Sequence, residues 1–134
     1  CRAGGRRGEA RGARGEGRVG GVAGAGGCDV GRGLPRPVGS RGAELIIAPG
    51  GWAVRHEHDQ EEEPYGDLWR EVYGRVAKEH HLWIAGTSNV GEIRHGAWAG
   101  HPCVGWSMLV GPDGEVRASG AYREEEIVYA EIDL

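Results

Sequence analysis

The stretch Trp98-Ala-Gly-His-Pro-Cys-Val-Gly-Trp106-Ser-Met-Leu-Val110-Gly-Pro-Asp-Gly-Glu-Val116 decides how the rest of the chain is read. A glycine-punctuated loop runs into a short apolar strand at residues 106–110, a Pro112-Asp113-Gly114 turn follows, and a returning strand begins at Glu115. Proline fixes φ, aspartate bonds its own backbone and glycine tolerates positive φ, so the tripeptide predicts a hairpin.

Outward from the hairpin, Ile127-Val-Tyr-Ala-Glu-Ile132 predicts a final strand. On the other side, Leu82-Trp-Ile-Ala-Gly-Thr87 is a short apolar run that predicts a buried strand, and Ser88-Asn89-Val90-Gly91 turns out of it. Residues 64–80 predict a helix: Leu68, Val72 and Val76 recur at i, i+4 and i+8, with Trp69 and Tyr73 beside them and Glu71 one turn before Arg75. Gly74 inside that helix costs about 1 kcal/mol relative to alanine, which predicts a close packing contact there. Earlier still, Glu44-Leu-Ile-Ile-Ala48 predicts a buried strand ended by Pro49-Gly50-Gly51, whose exit loop delivers Trp52. Strand, helix, strand, hairpin, strand is an α/β layered pattern. Such folds usually place their sites in loops at the C-terminal ends of strands. The intervening His56-Glu-His58-Asp-Gln-Glu-Glu-Glu63 predicts a solvated acidic loop. Its His-x-His alternation has no distant third ligand at a metal-binding spacing, so no metal is predicted.

Ahead of Arg41 the texture is different. The 134-residue chain has no Phe and a single Met, and 15 of its 27 glycines fall within residues 1–42. That opening third holds nine arginines against three acids, while residues 43–134 hold seven bases against 17 acids, so the net charge of −4 conceals two unlike segments. Residues 1–40 show neither helical nor strand periodicity and are expected to be a low-complexity, disordered Gly/Arg-rich segment, with the folded domain at residues 41–134. Three functional readings compete with plain disorder. Gly15-Glu-Gly17-Arg-Val-Gly20 fits the dinucleotide fingerprint, but in so glycine-rich a setting the match is close to chance. An arginine-rich nucleic-acid tail lacks stacking partners, because no aromatic precedes Trp52, and nucleic acid is not expected as a partner. The third reading is an out-of-frame stretch of GC-rich coding sequence, and Cys1 where an initiator Met is expected suggests an incomplete reading of a gene.

No apolar run approaches the roughly 20 residues of a membrane helix, and Arg6-Arg7 has no apolar region after it as an export signal requires. Three widely spaced cysteines do not make a disulfide framework, so a cytoplasmic setting without membrane association is expected.

Four motifs in order carry a resemblance: Arg41-Gly-Ala-Glu-Leu-Ile-Ile-Ala-Pro-Gly-Gly-Trp52, Glu63-Pro-Tyr-Gly-Asp-Leu-Trp69, Leu82-Trp-Ile-Ala-Gly-Thr-Ser-Asn-Val-Gly91, and Gly105-Trp-Ser-Met-Leu-Val-Gly-Pro-Asp-Gly-Glu-Val116. Together they resemble the C-terminal half of a carbon–nitrogen hydrolase of the nitrilase superfamily. The resemblance implies the C-terminal portion of a four-layer αββα sandwich that forms homo-oligomers when complete. It implies a cysteine that attacks the carbon of a small nitrile or amide, a glutamate general base, and a lysine that stabilises the tetrahedral centre, with no cofactor and no metal. The product is the acid, with release of ammonia.

Carried over residue by residue, the glutamate and lysine are not matched. The family has both ahead of the strand that begins at Ala43, whereas the single lysine, Lys78, lies after it, and Glu9 and Glu16 sit in glycine-rich sequence. Cys28-Asp29 falls where the nucleophile is expected, without the intervening aromatic and ahead of a segment whose prolines break a helix. Cys28 is therefore the candidate catalytic residue, and the chain alone is expected to be inactive. Trp52, Asn89, Cys103 and Trp106 are the candidate pocket residues. Gly105-Trp-Ser107-Met-Leu lacks the second glycine of a nucleophile elbow, which excludes a serine-hydrolase reading. The alternative function is a catalytically inactive nitrilase-like interaction module with an Arg/Gly-rich tail.

Overall fold

A computed structural model of the chain describes residues 42–134 and, ahead of them, the backbone of two short strands. These are β1 (Gly12–Gly15) and β2 (Arg18–Val22), followed by β3 (Ala43–Gly50), α1 (Asp67–His80), β4 (Trp83–Ser88), β5 (Val90–Glu92), β6 (Pro102–Val104), β7 (Met108–Val110) and β8 (Val116–Ser119). Six strands form one mixed sheet in the order β1-β2-β3-β4-β7-β8, and β5 and β6 form a separate two-stranded sheet. The structure is the mixed α/β layer that the residue pattern predicts.

The core is a row across three strands. Ile46 of β3 faces Ile84 of β4, and Ile84 faces Val110 of β7. All three are at most 1% exposed. Above this row lies α1, which buries Val72, Tyr73, Val76 and Ala77. Leu68, expected in the apolar stripe, is instead 62% exposed. The stripe is rotated because Trp69 stacks on Trp52, which sets residues 69, 72, 73, 76 and 77 as the inward face at i, i+3, i+4, i+7 and i+8. The helix ends where His81 takes a left-handed conformation and Leu82 N donates to Ala77 O at 3.1 Å.

The hairpin forms as expected. Gly111 N donates to Glu115 O, Gly114 N donates to Gly111 O, and Asp113 Oδ1 accepts from Glu115 N. Gly114 has φ +87°, which glycine adopts without strain. The contact predicted at Gly74 is with this turn. A β-carbon on Gly74 would lie 2.8 Å from Gly114 O, and one on Gly114 would lie 2.7 Å from Gly74 O. Helix and turn therefore meet backbone to backbone.

One further expectation is corrected. Residues 127–132 do not form a strand; they carry no regular structure, and Ile127 and Tyr129 are 77% and 85% exposed. Apolar alternation supplies a face, but a strand also needs a neighbour's backbone, and residues 127–132 pair with none. In the glycine-rich segment, which shows no strand periodicity, the two described strands join the same sheet. There β1 pairs antiparallel with β2, and β2 runs parallel to β3. Strand pairing uses N–H and C=O groups that every residue but proline carries, so it does not require a side-chain pattern. Among the described residues no helix is long and apolar enough to cross a membrane.

Candidate active site

The parallel strands β3 and β4 end side by side, with Pro49 opposite Thr87 and Gly50 opposite Ser88. Beyond them the chain leaves as Gly51-Trp52 and as Asn89-Val90. Each exit loop is bonded to the other and to the segment that leads into β7. Asn89 N donates to Gly50 O, Gly105 N donates to Asn89 O at 2.8 Å, and Val104 N donates to Trp52 O at 2.8 Å. Two serine hydroxyls complete the stitching: Ser88 Oγ accepts from Trp52 N at 3.1 Å, and Ser107 Oγ accepts from Ser88 N at 3.0 Å. Sequence reasoning passed over both serines as site residues. The signal was present as a hydroxyl at the polar edge of each apolar run.

Asn89 and Cys103 both border Gly51 here. A β-carbon on Gly51 would lie 3.7 Å from Asn89 Nδ2 and 4.0 Å from Cys103 Sγ. Glycine at position 51 thus leaves open the space that both side chains border. Asn89 is exposed, so its amide is free to donate and accept toward a small polar ligand. Cys103 is 6% exposed, and burial pushes its thiol up, which keeps it protonated and poorly nucleophilic.

The two tryptophans lie apart from this group. Trp52 is in the core, 5% exposed and stacked on Trp69 with ring centroids 4.7 Å apart and planes 2° from parallel. It serves the site through its backbone. Trp106 is half-buried and has φ +58°, a left-handed conformation that costs a bulky residue strain. Its ring covers Gly66, where a β-carbon would come within 2.7 Å of it, and it meets Tyr122 edge-on at 6.1 Å. The guanidinium of Arg70 lies 5.9 Å from the same ring. Trp106 therefore borders the start of α1 as well as the strand-end loops.

Lys78 is on α1, exposed, with its Cβ beside the Gly114 turn at the end of the hairpin remote from Asn89. His56 and His58 diverge. His56 faces His101 at 6.2 Å, whereas His58 bonds Gln60 Oε1 and meets Tyr65 edge-on. Among the described residues no group of three or more His, Cys, Asp or Glu is arranged to hold a metal. Cys28, Glu9 and Glu16, and the glycine fingerprint at Glu16 and Gly17, lie outside the described residues.

A family model described as carbon–nitrogen hydrolase matches residues 20–134, starting within the glycine-rich segment. Among solved structures, the carbon–nitrogen hydrolase from Helicobacter pylori G27 is 27% identical with a TM-score of 0.54, over 68% of this chain and 32% of that one. A mutant of the amidase from Nesterenkonia sp. AN1, solved with acrylamide added at its active-site cysteine, is 19% identical with a TM-score of 0.64, over 84% of this chain and 38% of that one. A mutant of the same amidase, solved with butyramide, gives 20% and 0.63. The chain spans about a third of the length of the solved structures it resembles. It matches no curated protein sequence.

Proposed function

The chain belongs to the carbon–nitrogen hydrolases, and from that premise we propose that it supplies one wall of a site that hydrolyses the non-peptide carbon–nitrogen bond of a small amide or nitrile. The observation that carries this reading is the convergence of Gly51, Asn89 and Cys103 where β3 and β4 end, in loops fixed to each other by backbone and serine hydrogen bonds. An exposed amide side chain on loops held in that way suits a ligand that offers one carbonyl and one amide nitrogen. In this reading Asn89 binds the amide of the substrate, Cys103 and Trp106 bound the pocket, and Trp52 holds the loop from below.

For an amide the chemistry is thiol addition to the carbonyl carbon, loss of ammonia to leave a thioester, and release of the acid by water; for a nitrile the first adduct is a thioimidate, which takes up one water as ammonia leaves and then reaches the same thioester. Cys28 is the proposed nucleophile. A glutamate base and a lysine are also needed, and Lys78 is on the wrong side of the fold for that role. The isolated chain is therefore expected to bind substrate without turning it over. The neighbour solved with butyramide supplies a probe. In a titration followed by amide NMR, butyramide is expected to shift the signals of Gly51, Asn89 and Gly105 saturably, with no ammonia released above the buffer rate. Shifts confined to other residues would remove the site. Ammonia release that vanishes in Cys28→Ala would overturn the expected inactivity.

A further inference from the structure

Along a strand, successive backbone N–H groups turn to opposite neighbours. At the end of β4 the N–H of Asn89 turns toward β3 and reaches Gly50 O at 3.3 Å. The N–H of Ser88 turns the other way, toward β7, where the ladder has already stopped at the Gly86–Met108 pair. Ahead of that pair Gly105 and Trp106 are both left-handed, with φ +67° and +58°, so the chain leaves the extended path of a strand. This double turn puts the side chain of Ser107 where a strand would offer a carbonyl, and Ser107 Oγ accepts from Ser88 N at 3.0 Å. From the other side of the turn Gly105 N donates to Asn89 O at 2.8 Å. Residues 105–107 therefore grip Ser88 and Asn89 at both ends of the pair. The left-handed Trp106 is held in place by its ring, which lies over Gly66 at the start of α1 so closely that a β-carbon there would come within 2.7 Å.

We propose, on the reading that Asn89 binds the substrate amide, that Ser107 is its positioning residue: by holding Ser88 N, the Ser107 hydroxyl fixes the backbone of Asn89 and the direction in which the Asn89 side chain leaves it. A single hydroxyl supplies the acceptor that Ser88 N lacks at the end of the ladder, whereas alanine would leave that part-buried donor unpaired. Ser88 Oγ in turn accepts from Trp52 N at 3.1 Å, so the hold runs from the start of β7 through Ser88 to the loop after β3. Without the Ser107 bond, residues 88 and 89 sample other orientations, and the apparent affinity falls with the fraction that stays in place. A single hydrogen bond limits that fall to about two- to ten-fold.

The test titrates butyramide by NMR into the unsubstituted chain, Ser107→Ala, Ser107→Thr and, as a control on the same hairpin, Ser119→Ala, which removes a hydroxyl bonded to Gly120 O. Ser107→Ala is expected to weaken binding about two- to ten-fold. With no ligand present, it is expected to move the Cα signal of Asn89 toward its value in an unstructured chain. Ser107→Thr keeps the hydroxyl and is expected to restore both readings, and Ser119→Ala is expected to change neither. A residue that only stabilises the fold would lower the thermal midpoint and leave the affinity of the folded chain and the Asn89 signal as they were. That result, or a threonine variant that restores neither reading, overturns the proposal. If the unsubstituted chain does not bind butyramide, the reading of Asn89 as the amide-binding group fails, and the Asn89 signal of the free chains still decides whether Ser107 positions it. If Ser107→Ala does not fold, hydrogen exchange of the unsubstituted chain decides: Ser88 N–H is expected to exchange many-fold more slowly than an unprotected amide, and exchange at the unprotected rate overturns the role of Ser107.

Discussion

The helix side and the open side of the sheet are made from similar residues and behave differently. On the helix side Ile46, Ile84 and Val110 align across three strands and are at most 1% exposed, and Tyr73 lies so close to Gly86 that a β-carbon there would come within 2.4 Å of its ring. On the open side Ile47 keeps 40% of its surface in solvent beside a cavity that Val128, Ala130 and Ile132 also line. Apolar character alone therefore does not decide burial. A second layer does, and among the described residues α1 provides it on one side.

The sharpest way to break this comparison is to cut the same kind of side chain on each face. Ile84→Ala is expected to cost about 2–5 kcal/mol, because α1 and the neighbouring strands cannot collapse into the gap. Ile47→Ala is expected to cost less than about 1 kcal/mol, as at a surface position. Urea unfolding measures both, and equal losses would mean that the open face is as well packed as the closed one.

A smaller effect tests how tightly the helix side is closed. In an open helix Gly74→Ala would stabilise by about 1 kcal/mol. Here the new methyl meets Gly114 O, and a net loss of about 1–3 kcal/mol is expected from overpacking. A gain in the denaturation midpoint would show that helix and turn can separate at no cost.

The smallest effect concerns the turn. The backbone N–H of Glu115 and the guanidinium of Arg117 hold the Asp113 carboxyl below its ordinary range. A lowered folded-state pKa contributes stability that is present above the unfolded value and lost as pH falls through the folded one. The thermal midpoint should therefore drop slightly as pH falls below the ordinary carboxylate range, and Asp113→Asn should remove that part of the drop. An unchanged acid profile in the Asn variant would take the turn out of the account.

What could be read from the sequence divides along the same physical line. β3, α1, β4 and the hairpin were legible because each carries its own period or turn chemistry. The β5–β6 pair was not, since Val90, Gly91 and Glu92 read as a turn until Cys103 and Val104 arrive beside them from a distant part of the chain. The segment 127–132 was misread for the opposite reason: its alternation is real, and its missing partner is not written in it. At the candidate site, the strand ends were predictable, and Asn89 and Cys103 both border Gly51. Trp52 was placed at the pocket by its position in an exit loop, whereas its ring is claimed by Trp69, whose stacking no spacing rule reveals.

The helix and the hairpin touch at two places that tolerate no β-carbon, Gly66 under the ring of Trp106 and Gly74 against Gly114. Each pair is eight residues from the next, and on the helix that is about 12 Å. A single close contact is a pivot, about which one element can still turn. Two contacts separated along both elements remove the pivot as well as the slide, so the hairpin is pinned like a bracket with two bolts. The segment that carries Cys103 and Trp106 is attached to one end of that bracket, so the helix adds to the hold that its hydrogen bonds to Trp52 and Asn89 already give it.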